Sequence, residues 1–348
     1  MSDRARGNQP TTLHLVVPSI AGPAHLGERQ PPDLPALGLL LGRADRFEGP
    51  APPTLEQLVF DLFNAEYLPE EDLPVASVTR VLDLGVIDKG FWLRADPVHL
   101  RTEGGRLVLL PGQALDIRLE EAQQMAGEIA EAYVGQGWLI KAPRPDRWYL
   151  KPPRAPRIVT TPIPVVAGHD IHPYLPRGRD GMAWHAILTE MQILLHTANA
   201  NAAREERGVP PINSLWFWGG GRLPALKPST WTKLWSEEPV SLALARLSET
   251  PTAAIPASFG DWFRAAGGGS HLVILDQARP MPPHDPAQRW CEFIDQLEQF
   301  WIAPALDALR SESLGQLELM TDSGQRFVLG AKQMRRWYMR RRRVRSLR

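Results

Sequence analysis

Cysteine is almost missing from this 348-residue chain, where Cys291 stands alone. One thiol excludes an internal disulfide framework and suits a reducing compartment. Long apolar runs are missing too. None approaches the roughly 18 residues that a membrane-spanning helix requires, so no membrane role is expected. Met1 to Pro10 is polar and carries no apolar stretch of signal-peptide type, and a cytoplasmic setting is expected. No repeat recurs along the chain, which removes solenoid architectures. Acids are absent from the last 18 positions, which hold Lys332 and eight arginines. Charge balances overall at 39 basic and 39 acidic side chains, so residues 1–330 hold 30 against 39, a mildly acidic body with a basic end.

What is present is organised around Ile212-Asn213-Ser214-Leu215-Trp216-Phe217-Trp218-Gly219-Gly220-Gly221-Arg222-Leu223-Pro224. An apolar run this short predicts a buried strand rather than a helix. The glycines mark a sharp exit from it. In a parallel α/β sheet the carboxyl end of a strand is where ligands sit, so a ligand-side loop competes here with a plain tight turn. The spacing matches neither common phosphate-binding glycine motif.

Upstream, Leu13-His14-Leu15-Val16-Val17-Pro18 predicts a buried first strand, and stripes after Asp33 and Thr54 predict two helices. Strand followed by helices points to an α/β layer fold. From Phe91 the texture changes. Strands are expected at Phe91–Arg94, Arg106–Leu110, Trp138–Ile140 and Arg147–Leu150, around a helix from Leu119 to Val134. The sum is a ββαββ unit, followed by a proline-rich linker from Pro152 to Pro164. One long helix is expected over 181–206, a strand at Val273–Leu275 and a strongly periodic helix from Pro286 to Arg310. A hairpin is expected around Asp322-Ser323-Gly324, then a basic helix from Ala331.

The central stretch, with Asn201-Ala202-Ala203-Arg204, Gly208 and Pro211-Ile212-Asn213 before it, resembles the cofactor-independent, archaeal-type phosphoglycerate mutases. It is similar most of all to their bacterial RpfE-type regulatory relatives, and Arg94-Ala95-Asp96-Pro97-Val98-His99-Leu100 is similar to the opening of the insert in those sequences. The resemblance implies an alkaline-phosphatase-like core with a mostly parallel sheet, interrupted by a small α+β lid. Residues 1–88 and 166–330 are then the core, 89–165 the ββαββ insert and its linker, and 331–348 the basic C-terminal helix or tail.

Working members of that superfamily use two divalent metals held by Asp and His, with a Ser or Thr nucleophile. The chain departs from this pattern. Ser19 stands where the first strand's terminal Asp is expected. The segment after Leu275 keeps at most Asp276 and His284 and introduces Arg279. Asp322 is followed by Ser323 rather than His, and Phe60-Asp61-Leu62-Phe63-Asn64 offers no hydroxyl nucleophile. No metal, no cofactor and no confident catalytic residue are therefore expected. The resemblance and the losses imply a pseudoenzyme with a regulatory role. A metal-dependent phosphotransferase or phosphohydrolase with a rebuilt site is the alternative.

A retained pocket for a small anionic ligand is expected at Arg94, Asn201, Arg204, Asn213, Trp216, Trp218, Gly219, Gly221 and Arg222, because arginine offers a bidentate fork to phosphate or carboxylate. An unknown protein partner is the other expected occupant. Three minor constellations compete with blander readings: His169, Asp170 and His172 as a metal site or a solvated loop; Asp96 and His99 as an acid–base pair or a turn; Cys291 as an inert buried thiol. Aromatics among arginines at 335–343 suit either docking on the acidic body or nucleic-acid binding.

Overall fold

The computed structural model describes residues 10–23, 32–50, 54–277, 285–336, 342 and 344. They form two compact units, one of residues 1–64 and 226–348, the other of residues 65–225. The second unit is wider than the 89–165 insert expected from the sequence, because elements on both sides of that span complete its sheet and core.

The first unit opens with β1 (Thr11–Val16), α1 (Pro35–Arg43), β2 (Asp45–Glu48) and α2 (Leu55–Leu62). Thr54 caps α2 as its sequence predicts, its hydroxyl accepting the Gln57 N–H at 3.3 Å. The chain then builds the second unit with α3 (Val75–Leu84), β3 (Trp92–Glu103), β4 (Arg106–Pro111), α4 (Leu119–Ala132), β5 (Leu139–Arg144), β6 (Arg147–Lys151), α5 (Ile163–Val166), α6 (Gly181–His196), α7 (Asn199–Glu206) and β7 (Ser214–Gly221). It returns to the first unit with β8 (Lys233–Trp235), α8 (Pro239–Leu247), β9 (Thr252–Ala253), α9 (Phe259–Ala266), β10 (Gly269–Ile274), α10 (Pro286–Leu297), α11 (Ala303–Arg310), β11 (Gln316–Met320), β12 (Gln325–Gly330) and α12 (Ala331–Met334).

The first unit's sheet has seven strands in the order β2-β12-β11-β1-β10-β8-β9. Its five middle and far strands run parallel, while β12 and β2 pair antiparallel at one side. One face sets Leu13, Leu15, Val273, Leu317 and Leu319 against α1, α9, α10 and α11 in a continuous apolar core. On the other face Val16, Leu272, Ile274 and Met320 are also buried, so the sheet is covered on both sides.

The helix expected over 286–310 is continuous, but it contains a π-turn at Glu298–Ile302. Pro304 explains the shift: it has no N–H and its ring crowds the carbonyl four residues back, so the ladder slips by one residue ahead of it. Glu298 uses the slack to reach α1, accepting the Ala36 and Leu37 N–H groups at 2.6 and 2.8 Å. Beyond α12 the described residues of the basic end dock on this unit. Arg336 pairs with Asp45 at 2.7 Å, the Arg342 N–H donates to the Gly38 carbonyl, and Val344 is buried in the core.

The second unit holds the expected ββαββ order, but β3 is far longer than its apolar start implies. The central stretch, expected in the parallel core, is β7 and lies here instead, antiparallel to β3. Asp96-Pro97, a turn candidate, lies mid-strand. Along β3 the ladder to β6 covers Leu93 and Arg94 and the ladder to β4 starts at Val98, so no partner strand stands between them on that side. Pro97 sits in this gap, where its missing N–H costs no ladder bond. The Asp96 carboxylate fills the gap from the side, accepting the Trp148 N–H at 3.1 Å. The helix expected over 181–206 is broken into α6 and α7 at Thr197-Ala198.

Candidate functional site

The carboxyl ends of β1, β10 and β11 are neighbours in the first unit, because β10 and β11 flank β1. A connection that crosses over β1 leaves a crevice at this end, the usual ligand position in such sheets. Ser19, Asp276 and Asp322 all follow these strands directly. Ser19 has a left-handed backbone, φ 58°, and its N–H donates to Asp322 Oδ2 at 2.7 Å. The Gly22 N–H closes the turn on the Ser19 carbonyl. Beside Asp322, the Thr321 and Ser323 hydroxyls share a hydrogen bond of 2.8 Å. His284 and Arg279 lie outside the described residues.

Two divalent cations need several carboxylate or imidazole donors converging on one point. Among the described residues no group of three or more His, Cys, Asp or Glu side chains is placed to hold a metal ion. One oxygen of Asp322 accepts a backbone N–H, and Ser19 offers only a neutral hydroxyl. The residues described here do not fit a dinuclear centre.

The expected pocket residues of the second unit are placed by the same strands and helices, and most are consumed within the fold. Arg204 on α7 is fully buried and donates to Glu121 Oε2 at 2.7 Å and to the carbonyls of Leu115, Asp116 and Pro210. Asn201 ties α7 to the strand entrance, bonding both the N–H and carbonyl of Ile212 and the Leu195 carbonyl. Asn213 bonds both backbone groups of Leu100. The Trp216 indole donates to the Thr161 carbonyl at 2.7 Å. Arg94 forms a fork on Asp96 at 2.9 and 2.7 Å, and the Trp218 indole donates to the same carboxylate. Asp96 is thus saturated by four N–H groups.

The glycines have a packing reason. A Cβ on Gly219, at φ 63°, would stand 3.0 Å from the Val75 Cβ, and one on Gly221 would stand 2.6 Å from the Pro74 Cβ. They let the start of α3 lie directly on β7, where the Ser77 hydroxyl donates to the Gly221 carbonyl. Gly221 and Arg222 nevertheless line an open cavity of about 660 Å³, with Asp72 on its wall. Burial pushes the Asp72 carboxyl above its usual range, against hydrogen bonds from the Thr160 hydroxyl, the Thr160 N–H and the Gly220 N–H. Arg222 itself turns to the Lys89 carbonyl.

The minor constellations do not assemble either. Asp96 and His99 are three residues apart on one strand and therefore point to opposite faces. The His99 ring instead meets the Pro211 carbonyl. His172 bonds Asp170 at 2.8 Å on an exposed loop, and that contact, against an opposing burial effect, lowers the Asp170 pKa. His169 faces the Ala167 carbonyl. Cys291 is half-buried on α10 rather than enclosed.

Sequence reading missed a second charged cluster. Asp83, its side chain without exposure, accepts Arg147 at 2.8 and 2.6 Å and the Tyr149 hydroxyl at 2.6 Å. Burial would raise its pKa, but these bonds outweigh it and hold the carboxyl below its ordinary value. No local motif announces this cluster, since Asp83 lies more than 60 residues from Arg147 and Tyr149.

Comparison with known proteins joins these observations. No family model matches the chain. A segment of 64 residues is 38% identical to the 2,3-bisphosphoglycerate-independent phosphoglycerate mutase of Methanosarcina mazei, covering 18% of this chain and 16% of that protein. A longer segment of 155 residues is 25% identical to a probable mutase of the same description from Geobacter sulfurreducens, covering 44% of this chain and 38% of the relative. The curated relatives are phosphoglycerate mutases. The matched segments span well under half of their length. The solved structure of the PH0037 protein from Pyrococcus horikoshii shares the fold, with a TM-score of 0.55 and 12% identity over 92% of this chain and 88% of that one. Among the described residues no helix is long and apolar enough to cross a membrane.

Proposed function

We propose that this chain is a non-catalytic relative of the 2,3-bisphosphoglycerate-independent phosphoglycerate mutases, with an alkaline-phosphatase-like core, acting by binding a regulatory ligand or a protein partner. The observation that carries the reading is the Ser19–Asp322 contact. At the strand ends where a phosphate-handling centre is expected, one of the three positions, Ser19, is a serine, and a second, Asp322, accepts the backbone N–H of that serine on one carboxylate oxygen. A neutral hydroxyl is a weak donor to a divalent cation, and a single remaining carboxylate, one of whose oxygens already accepts an N–H, does not replace the set of charged ligands that two cations need. The resemblance to RpfE-type sequences supports the regulatory part of the reading, and the lone thiol supports a cytoplasmic setting.

The bound molecule is less well served by an anion than the arginines of the sequence imply. Arg94 and Arg204 are committed to Asp96 and Glu121. Around the second unit's cavity Glu66, Glu70, Glu71 and Asp72 outnumber Arg157 and Arg222.

Elemental analysis of the purified chain, with and without added manganese or zinc, tests the reading together with an assay of phosphoglycerate interconversion. Substoichiometric metal and no turnover are expected. About two tightly held ions per chain with turnover of phosphoglycerate would overturn it.

A further inference from the structure

The first unit has an opening whose lining includes none of Ser19, Asp276 and Asp322. Leu275 and Gln277, at the end of β10, form its floor, and α10 with the π-turn forms one wall through Phe293, Leu297, Phe300 and Trp301. The segment Ile255–Ser258 entering α9 forms the other wall. Its volume is about 650 Å³, within the range of small-molecule sites. It lies at the carboxyl end of a parallel strand. The wall that holds it open is irregular: the π-turn keeps Trp301 inside while Phe300 stands 49% exposed at the mouth. Such turns recur at binding sites.

The charges of the lining select among ligands. Among the described residues it contains two carboxylates, Glu237 and Asp261, and no lysine, arginine or histidine. The N-terminus of α9 is no seat for an anion, because Ser258 caps it and Asp261 occupies its first turn. Asp261 is engaged by the Ser258 hydroxyl at 2.7 Å and by Arg264. Glu237 makes no hydrogen bond or ion pair with another described residue, which leaves its carboxylate open to a ligand. Aromatic faces beside a free carboxylate attract a cation twice, through the ring quadrupole and through the charge.

We propose that this groove binds an organic cation, a small molecule with an apolar body and an ammonium or guanidinium head, the body lying on Leu275, Phe293 and Phe300 and the head against Glu237. A phosphate ester suits the described lining less well, since it would meet the open Glu237 carboxylate while the nearby Arg264 and Arg289 are engaged by Asp261 and the Gln277 carbonyl. The inference stands apart from the catalytic question, because the groove's lining includes none of Ser19, Asp276 and Asp322.

Three probes with one body and different heads test it: phenethylammonium, 2-phenylethanol and 3-phenylpropionate, titrated into the full chain by calorimetry and ligand-observed NMR. The amine is expected to bind about tenfold or more tighter than the other two, a difference of about 1.4 kcal/mol. Glu237→Gln should remove that preference while leaving the neutral probe unchanged. Phe300→Ala should weaken the amine by about three- to tenfold. Both positions are solvent-accessible, so neither substitution opens a cavity in the core. Equal affinity for all three probes, a preference for the anion, or no binding of any probe up to about 10 mM overturns the proposal.

Discussion

Asp322 holds Ser19 by its backbone: the Ser19 N–H lies 2.7 Å from Asp322 Oδ2, and the serine is held at φ 58°. The contact joins the end of β1 to the turn between β11 and β12, so it is a structural tie across neighbouring strands. Asp322→Ala should therefore lower the stability of the isolated chain by about 1–2 kcal/mol, seen as a lower urea midpoint with an unchanged slope. Ser19→Gly should act in the opposite direction, since glycine adopts that backbone without the Cβ penalty. If Asp322 were instead kept for a cation, its removal would leave the metal-free protein's stability alone and abolish metal uptake.

The glycine run permits a contrast of sign. Gly219→Ala and Gly221→Ala each drive a methyl into the start of α3 and should each cost about 1–3 kcal/mol. Gly127 is exposed within α4, and a Cβ there would meet nothing within 4 Å. Gly127→Ala should stabilise by about 0.5–1 kcal/mol. Chemical denaturation of the three variants separates packing from ligand contact. A ligand role for Gly219 and Gly221 would leave the stability of their variants near wild type.

Arg204 was readable as a binding residue and is a buried brace. Its guanidinium answers Glu121 and three carbonyls at once, and the neighbouring Arg207 answers the other oxygen of Glu121. Arg204→Ala leaves the largely buried Glu121 carboxylate to Arg207 and the Arg118 N–H, takes a donor from three carbonyls, and should cost about 3–5 kcal/mol. Arg204→Ala with Glu121→Ala should recover part of that loss, and a double-mutant cycle measures how much. Two losses that simply add would show that the pair is not coupled.

Arg204 also marks where sequence stops informing. The hairpin around Asp322-Ser323-Gly324, the Thr54 cap and the ββαββ order follow from local chemistry, and the structure has all of them. β7 was misplaced because a strand buried on both faces has the same apolar run in a parallel core as in a covered antiparallel sheet. Its partner, β3, lies more than 110 residues earlier, and no local signal encodes that pairing. The same limit applies to the site. Ser19 and Asp322 were legible as positions, but their hydrogen bond joins residues 303 apart in sequence. The groove was invisible because its wall depends on a π-turn set by Pro304.

His271 supplies a pH dependence with a fixed sign. It is fully buried on β10, with Trp235 and Trp262 against its ring and its Nε2 without a hydrogen-bond partner among the described residues. Burial first, and then the nearby Lys233 and His14, disfavour the imidazolium and lower its pKa from 6.5, against backbone groups of Gly267 and Gly268. The unfolded chain therefore takes up a proton at a pH where the folded chain does not. Unfolded protein binds more protons, so stability rises with pH through this window. The contribution is whole above the unfolded-state value and is lost as pH falls below it. Urea midpoints should drop between about pH 8 and pH 5.5, a range in which ordinary carboxylates stay ionised. His271→Asn, whatever its absolute stability, should flatten that slope. An unchanged slope in the variant would assign the pH response to other groups and remove His271 from the account.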